Sequence, residues 1–200
     1  RLVTARLPGA PRRLASAGPA ELRALGRLLR ALHDARAEEH GGLWTWPAPA
    51  RDLAEYRRLR AADADAALAG RPEAGLAARA DARGPAPPAG RRPFRLLHGD
   101  LVEANVVWGP RGPALVDWEF WRLGDPAEDL AYACELNRLP PAACRALLAG
   151  YGAPGMGERL GAWRPIVALD AGAWYLREGM EARAAPLLIR GRRPPRGRGR

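Results

Sequence analysis

The stretch "LLHGDLVEANVVW", residues 96–108, is the part of the sequence that best indicates the fold. Two short apolar runs of strand-forming residues enclose His98, Asp100 and Asn105. Because Gly, Asp and Asn are frequent in turns, one interpretation is an ordinary loop between two strands. The other is that the loop carries chemistry. The sequence that follows decides between them.

A β-hairpin is predicted immediately after this loop. The turn sequence "GPRGP" (109–113) separates the end of the first stretch from "ALVDWEF" (114–120). The hairpin places Asn105 at its entrance and Asp117 near its exit, so that their side chains lie side by side. Two hard oxygen donors suit Mg²⁺ better than zinc, with phosphates and water completing the coordination.

The order His-x-Asp-x-x-x-x-Asn has the spacing of the catalytic loop of kinases. In that loop the aspartate orients the attacking hydroxyl and accepts its proton, and the asparagine holds Mg²⁺ on the nucleotide. The spacing therefore predicts Asp100 as the catalytic residue, with Asn105 and Asp117 as metal ligands. The implied cofactor is Mg²⁺, and the co-substrate is ATP or GTP.

Most of the remaining chain is predicted to be helical. Leu22, Leu25, Leu29 and Leu32 recur at helical spacing. The charges of a second helix, residues 51–69, are interpreted as a solvated face. Further helices follow residue 125, where Asp125 is predicted as an N-cap and Glu128 as part of a variant capping box. The fold class is therefore mainly α with a small β-hairpin.

Composition narrows the class of protein. The chain of 200 residues is 48% hydrophobic and 27% charged, as expected of a soluble globular protein, and no apolar run is long enough to span a membrane. Two cysteines are too few for a disulfide framework, so a cytoplasmic location is the default expectation. All 32 basic residues are arginine, which excludes a Walker A lysine or a Schiff-base lysine within these residues.

The net charge of +10 raises the possibility of a nucleic-acid partner, but its distribution favours a simpler interpretation. Six arginines and no acidic residues lie in "RGRRPPRGRGR" (190–200), which leaves about +4 on the rest of the chain. Basic low-complexity tails of this kind are usually disordered. We therefore predict a solvated, disordered tail over residues 187–200.

The segments "HGDLVEAN" and "LVDWEFWRLGDPAEDLAYA" together resemble the aminoglycoside phosphotransferase and choline kinase-like family. Members have a protein-kinase-like fold and phosphorylate hydroxyls of small molecules. The match is strongest over residues 96–133, although Asp117-Trp118-Glu119 stands where protein kinases have Asp-Phe-Gly. The resemblance implies a C-terminal kinase lobe over residues 1–186, in which residues 1–9 resemble the hinge between the lobes.

The resemblance also assigns roles to individual residues. It supports Asp100, Asn105 and Asp117 in the roles given above. It implies that Glu119 assists the metal or faces the substrate, that Asp129 braces the catalytic loop and that His98 supports this loop. By analogy, Val107 and Val116 form part of the floor under the nucleotide.

The family has a smaller N-terminal lobe whose lysine grips the nucleotide phosphates. That lobe would precede residue 1, so the chain is expected to be a fragment or a shortened relative with weak turnover or none. A non-catalytic binding module and a nucleic-acid contact through the tail are the alternatives.

The sequence does not decide between two classes of cationic acceptor molecule. An acidic cleft for a molecule such as an aminoglycoside would use Glu119, Glu128 and Glu135. An aromatic box for a quaternary ammonium group would use Trp118, Trp121 and Tyr132.

Overall fold

The computed structural model describes residues 7–35, 50–84 and 94–192. Within them the fold is mainly helical, with two small antiparallel sheets, as predicted. The helices are α1 (Pro19–Asp34), α2 (Leu53–Ala67), α3 (Leu76–Arg83), α4 (Pro126–Leu136), α5 (Pro141–Tyr151), α6 (Met156–Arg177) and α7 (Glu181–Gly191). The strands are β1 (Ala10–Pro11), β2 (Arg95–Leu97), β3 (Val106–Gly109), β4 (Gly112–Leu115) and β5 (Arg122–Gly124).

The predicted hairpin is formed by β3 and β4. Val106 lies opposite Leu115, and Gly109 lies opposite Gly112 at the turn. The second strand is shorter than predicted, because it ends at Leu115 and the chain then bends at Asp117, whose φ is 63°. This bend turns the following residues away from the sheet.

Three further strands extend this small β region. β1 pairs antiparallel with β3, and β2 pairs antiparallel with β5. Leu97 lies opposite Arg122, so the loop that starts at His98 and the loop that ends at Trp121 meet at neighbouring strand ends. The strand and turn predicted for residues 1–9 fall largely on residues 1–6, which lie outside the described residues.

The core lies between the helices. α6 runs through the middle, contacting α2, α3, α4 and α7, and α1 packs closely along α5. The predicted N-cap of α4 is confirmed, since the Asp125 carboxylate accepts a hydrogen bond from the backbone N–H of Ala127 at 2.9 Å. No helix of the described ranges is long and apolar enough to cross a membrane.

Two sequence interpretations of charged residues are wrong. The charges of α2 are not all on a solvated face, because Arg57 and Arg60 are buried. Glu128 does not complete a capping box; its buried carboxylate instead accepts hydrogen bonds from side chains of α2 and β5. Amphipathic periodicity misses such residues because it assigns every charge to the surface.

The start of the predicted basic tail also needs correction. Helix α7 continues to Gly191, and Leu187 and Leu188 are buried, so residues 187–191 belong to the helical body. Arg190 contacts Glu135 and Arg192 contacts Glu73. Ion pairing and burial thus hold the first part of a segment that composition alone marked as solvated. Residues 193–200 lie outside the described residues.

Candidate active site

The loop that follows β2 presents Asp100 through a glycine turn. Gly99 has a φ of 84°, a conformation that side-chain-bearing residues rarely adopt. A Cβ atom at this position would also overlap the carbonyl oxygen of Phe120. The glycine of the motif is therefore needed both for the backbone conformation and for the close approach of the two loops.

Asp129 of α4 holds this turn in place through hydrogen bonds to its backbone. Its Oδ2 accepts a hydrogen bond from the backbone N–H of His98 at 2.8 Å, and its Oδ1 accepts one from the N–H of Gly99 at 2.9 Å. His33 of α1 contributes a third contact, 3.2 Å from Nε2 to Oδ2. Burial raises the pKa of the Asp129 carboxyl, but these hydrogen bonds and nearby Arg122 outweigh it and the net pKa is lowered. A buried carboxylate with three donors is a rigid anchor for the loop.

His98 connects the loop to the strand that leads to Asp117. Its Nε2 lies 2.9 Å from the carbonyl oxygen of Val116, and its Nδ1 lies 3.3 Å from the backbone N of Asp100. Since a carbonyl only accepts and a backbone N–H only donates, these contacts require a neutral ring protonated on Nε2. In this arrangement His98 links the backbones of the two loops.

Asp100 and Asn105 form a direct pair. The Asn105 amide nitrogen donates to Asp100 Oδ2 at 2.8 Å and to the Asp100 carbonyl oxygen at 3.0 Å. Both partners are acceptors, so the amide nitrogen points at Asp100 and the amide oxygen is left for another ligand. Burial raises the pKa of the Asp100 carboxyl. His98 and the Asn105 hydrogen bond oppose this rise and the charges of Asp117 and Glu119 add to it, with a net increase.

Asp117 and Glu119 lie close to this pair on exposed backbone. The backbone N–H of Val116 donates to the carbonyl of Asn105 at 3.1 Å, which holds the Asp117 bend beside the Asn105 turn. Both acidic side chains are exposed. No cluster of three or more His, Cys, Asp or Glu side chains arranged for a metal occurs in the described ranges.

The donor set nevertheless fits magnesium bound together with a nucleotide. Mg²⁺ commonly takes only one or two protein oxygens and completes its coordination with phosphates and water. The amide oxygen of Asn105 and the carboxylate of Asp117 are available for this purpose, because the Asn105 amide nitrogen is committed to Asp100.

A buried ion-pair network that the sequence did not predict contacts the loop of Asp100 through Arg122. Glu128, which is fully buried, accepts hydrogen bonds from Arg122 at 2.7 Å, Arg60 at 2.9 Å and Tyr56 at 2.6 Å. Arg122 also donates to the carbonyl of Phe120 at 3.1 Å, and it lies 3.4 Å from the carbonyl of Gly99. The sequence signal is three acidic residues, Asp125, Glu128 and Asp129, at and just after the N-cap of α4, which capping explains equally well.

A cavity of about 740 Å³ opens beside Asp100. It lies between the catalytic loop, the loop after Asp117 and the corner where α6 meets α7. Its charged and aromatic lining includes Asp100, Glu119, Trp121, Trp174, Tyr175 and Arg183. Of the residues considered for the acceptor, Glu119, Trp121 and Tyr132 line this cavity. Glu128, Glu135 and Trp118 do not.

Val107 and Val116 occupy the hairpin, away from this cavity. Val107 is buried in β3, and Val116 is half-buried just after β4, next to the Asn105 backbone. Neither lines the cavity beside Asp100. Their assignment to the nucleotide therefore stays a prediction.

The fold and this loop define a class of protein: the C-terminal lobe of a protein-kinase-like phosphotransferase. The sequence matches the model of the "Phosphotransferase enzyme family" over residues 1–164. The chain belongs to this family, which confirms the family predicted from the motifs.

Two curated relatives are similar over part of the chain. Viomycin phosphotransferase of Streptomyces vinaceus is 37% identical over 100 residues, covering 45% of this chain and 33% of the relative. A probable ketoamine kinase of Thermus thermophilus is 36% identical over 129 residues, covering 57% of this chain and 45% of the relative. The matches thus span less than half of each relative.

Solved structures share the fold. A macrolide 2'-phosphotransferase from Brachybacterium faecium aligns over 96% of this chain and 70% of its own, with a TM-score of 0.62 and 24% identity. A choline/ethanolamine kinase family protein from Mesorhizobium loti aligns over 96% and 73%, with a TM-score of 0.57 and 18% identity. At these identities the likeness concerns the fold alone.

Proposed function

We propose that this chain forms the acceptor-binding and catalytic lobe of an ATP- or GTP-dependent phosphotransferase acting on a hydroxyl group of a small molecule. The observation that carries the proposal is the placement of Asp100. Its carboxylate is paired with Asn105, carried on a loop that Asp129 anchors, and faces a cavity large enough for a small molecule. Family membership supports the same reaction class.

The chain's own residues would act in the following way. Asp100 accepts a hydrogen bond from the acceptor hydroxyl and orients its oxygen toward the terminal phosphorus of the nucleotide. The new bond forms between that oxygen and phosphorus, and the bond from phosphorus to the bridging oxygen of the nucleoside diphosphate breaks. The hydroxyl proton passes to Asp100 and then to solvent, which leaves the carboxylate ready for another cycle.

Asn105 and Asp117 would hold Mg²⁺, with Glu119 as an additional candidate. When bound, the ion neutralises charge on the nucleotide phosphates. Asn105 would then have two functions in one side chain, since its amide nitrogen positions Asp100 and its amide oxygen would be available to the ion. His98 contacts the Val116 carbonyl and the Asp100 backbone, and so holds the loop of Asp100 beside the bend at Asp117.

The 200 residues contain no lysine. By the family pattern, the nucleotide phosphates need a lysine that another segment must supply. We therefore expect weak or no turnover from these residues alone. A coupled assay of ADP release that detects robust activity from the isolated chain would contradict this expectation.

The test of the function is Asp100→Asn in the full-length protein, assayed with a panel of hydroxyl acceptors. We expect kcat to fall by about 10²–10⁴-fold, the range typical for loss of a positioned base. Asp34→Asn is a suitable control, because Asp34 is an exposed residue at the end of α1. Unchanged turnover of every accepted substrate by Asp100→Asn would remove Asp100 from the mechanism.

A non-catalytic binding module is the second candidate. The absence of lysine from these residues favours it. In that case nucleotide and acceptor would bind without ADP release, and Asp100→Asn would leave binding nearly unchanged.

Contact with nucleic acid through the basic tail remains a separate proposal. Its test is a salt-dependent shift on RNA that is lost on deletion of residues 193–200. The deletion should spare residues 187–191, because they belong to α7.

A further inference from the structure

The cavity beside Asp100 has different charges on its different walls. Asp100 and Glu119 contribute carboxylates from the catalytic loop and the loop after Asp117. Arg177 and Arg183 line the cavity at the corner between α6 and α7. An acceptor molecule therefore meets carboxylates near the reacting group and guanidinium groups at the α6–α7 corner.

Two other acidic residues of the cavity contact the same arginine, Arg60, which also contacts Glu128. Asp170 accepts hydrogen bonds from Arg60 at 2.9 Å and from the Tyr132 hydroxyl. Asp63 lies 3.3 Å from the same arginine. Among the described residues that line the cavity, only Asp100 and Glu119 remain as carboxylates without an arginine partner.

Arg177 and Arg183, by contrast, have no carboxylate within ion-pair distance in the described part of the chain. Both are exposed. Glu178 and Glu181 lie near them in the sequence but do not line the cavity. The two guanidinium groups are therefore available to an anionic ligand, which a planar donor fork suits well.

Aromatic side chains also line the cavity. Trp121 and Trp174 are each about 40% exposed, an unusual exposure for such large apolar surfaces. Tyr175 packs edge-on against Trp174, and the guanidinium of Arg183 lies 5.8 Å from the centre of the Tyr175 ring. Since a cation already occupies that ring face, a substrate ammonium group would meet repulsion there.

We propose that the acceptor is an alcohol on a flat, mainly apolar body that carries an anionic group such as a carboxylate. Trp121 and Trp174 would contact the body, Arg177 and Arg183 would bind the anion, and the hydroxyl would face Asp100. This rests on the proposed phosphotransferase function and selects against both cationic acceptor classes considered from the sequence. Of the residues considered for an acidic cleft, only Glu119 lines the cavity, and the aromatic box lacks Trp118 there.

Binding of three matched probes to the 200-residue chain tests the proposal without requiring catalysis. The probes are 4-(hydroxymethyl)benzoate, benzyl alcohol and 4-(aminomethyl)benzyl alcohol, which share a ring and a hydroxymethyl group and differ in charge. Dissociation constants would be measured by ligand-observed NMR at low ionic strength. We expect the carboxylate to bind about three- to tenfold more tightly than the amine, as two exposed charge contacts allow.

The double variant Arg177→Gln/Arg183→Gln should bring the affinities for carboxylate and amine within about twofold of each other. Arg145→Gln is the matched control, because Arg145 is exposed on α5 and does not line the cavity. Addition of 0.5 M NaCl should also weaken the preference, since ions screen exposed charges. Equal or tighter binding of the amine, a preference that survives the double variant, or no binding of any probe would overturn the proposal.

Failure of the proposed reaction would give a different result. In that case the full-length protein would release no ADP with any acceptor, while the preference for the carboxylate probe and its dependence on the two arginines would persist. The probe experiment therefore tests the acceptor class separately from the phosphotransfer.

Discussion

At the scale of single residues, two aspartates of the candidate site have opposite pKa shifts: Asp100 on the loop after β2 and Asp129 on α4. Burial and two neighbouring carboxylates raise the pKa of Asp100. The pKa of Asp129 is lowered despite burial, because its carboxylate accepts hydrogen bonds from His33 and from the loop backbone. The site thus combines the carboxylate of Asp129, which stabilises the fold, with the carboxylate of Asp100, whose ionisation costs stability.

These shifts predict opposite effects of the same substitution. A raised folded-state pKa means that ionised Asp100 lowers stability as pH rises through that pKa, so Asp100→Asn should increase the free energy of unfolding at pH 7. A lowered folded-state pKa means that Asp129 stabilises the fold above its unfolded pKa of about 3.9. Asp129→Asn should therefore reduce stability at pH 7 by about 2–4 kcal/mol.

Urea denaturation from pH 3 to pH 8, with EDTA present, would measure both effects. The advantage of Asp100→Asn should disappear below the unfolded pKa of the carboxyl, and the loss caused by Asp129→Asn should shrink as pH falls through its folded pKa. Effects of the same sign in the two variants at pH 7 would contradict the assigned environments.

His33 is a second residue whose importance depends on tertiary contacts. Its Nδ1 lies 3.0 Å from the Tyr151 hydroxyl, and its Nε2 faces Asp129. All three side chains are buried, so His33→Ala would leave two polar groups without this partner. We expect a loss of about 1–3 kcal/mol in unfolding free energy.

Tyr151→Phe should cost less, about 0.5–1.5 kcal/mol, because it removes one hydroxyl without opening a cavity. In the double variant the losses should be less than additive, since both substitutions break the same contact. Strict additivity in urea denaturation would show that His33 and Tyr151 act independently.

At the scale of secondary-structure elements, glycines set the distance between α1 and α5. A Cβ on Gly26 would overlap the backbone of Leu147, and a Cβ on Gly150 would overlap the backbone of Arg23. The two helices therefore approach with backbone against backbone. This contact positions His33 of α1 beside Tyr151 of α5.

Gly26→Ala should destabilise the protein by about 1–3 kcal/mol, the usual cost of overpacking. Gly161→Ala is the matched control on α6, where a Cβ would meet nothing within 4 Å. It should stabilise the protein by about 0.5–1 kcal/mol, because alanine favours the helical backbone more than glycine does. Thermal denaturation of the two variants should give shifts of opposite sign, and a harmless Gly26→Ala would contradict the close packing.

At the scale of the whole molecule, Glu128 joins separate elements. Its carboxylate on α4 contacts Tyr56 and Arg60 of α2 and Arg122 of β5. Arg60 continues to Asp170 of α6, and Arg122 continues to the carbonyl of Phe120 near the catalytic loop. The network therefore ties the helical core to the site.

Glu128→Ala should reduce the free energy of unfolding by about 3–5 kcal/mol, because it leaves buried guanidinium charges without their carboxylate. Asp34→Ala, which breaks the exposed pair between Arg30 and Asp34, should cost no more than about 0.5 kcal/mol. Chemical denaturation at pH 7 would measure the free energy of unfolding of both variants. Similar losses in the two variants would show that burial of the network contributes little.

The sequence by itself determined the helical fold class, the hairpin and the residues Asp100, Asn105, Asp117 and Asp129 of the candidate site. The fold class and the hairpin follow from short-range information, since turn residues, capping and the period of apolar residues act within a few positions of the chain. Motif spacing indicated Asp100, Asn105 and Asp117, and the family resemblance indicated Asp129. The structure places these four side chains around one loop, and their chemical roles stay proposals.

Only the tertiary structure decided which charges are buried and which surround the cavity. Arg60 and Glu128 lie 68 positions apart and meet because α2 and α4 pack against a common helix. The pairing of β2 with β5 joins residues 25 to 29 positions apart, and the α6–α7 corner with Arg177 and Arg183 lines a cavity with Asp100 only after folding. A local pattern records how polar a position is, but burial and the choice of an ionic partner depend on segments that are remote in sequence and adjacent only after folding.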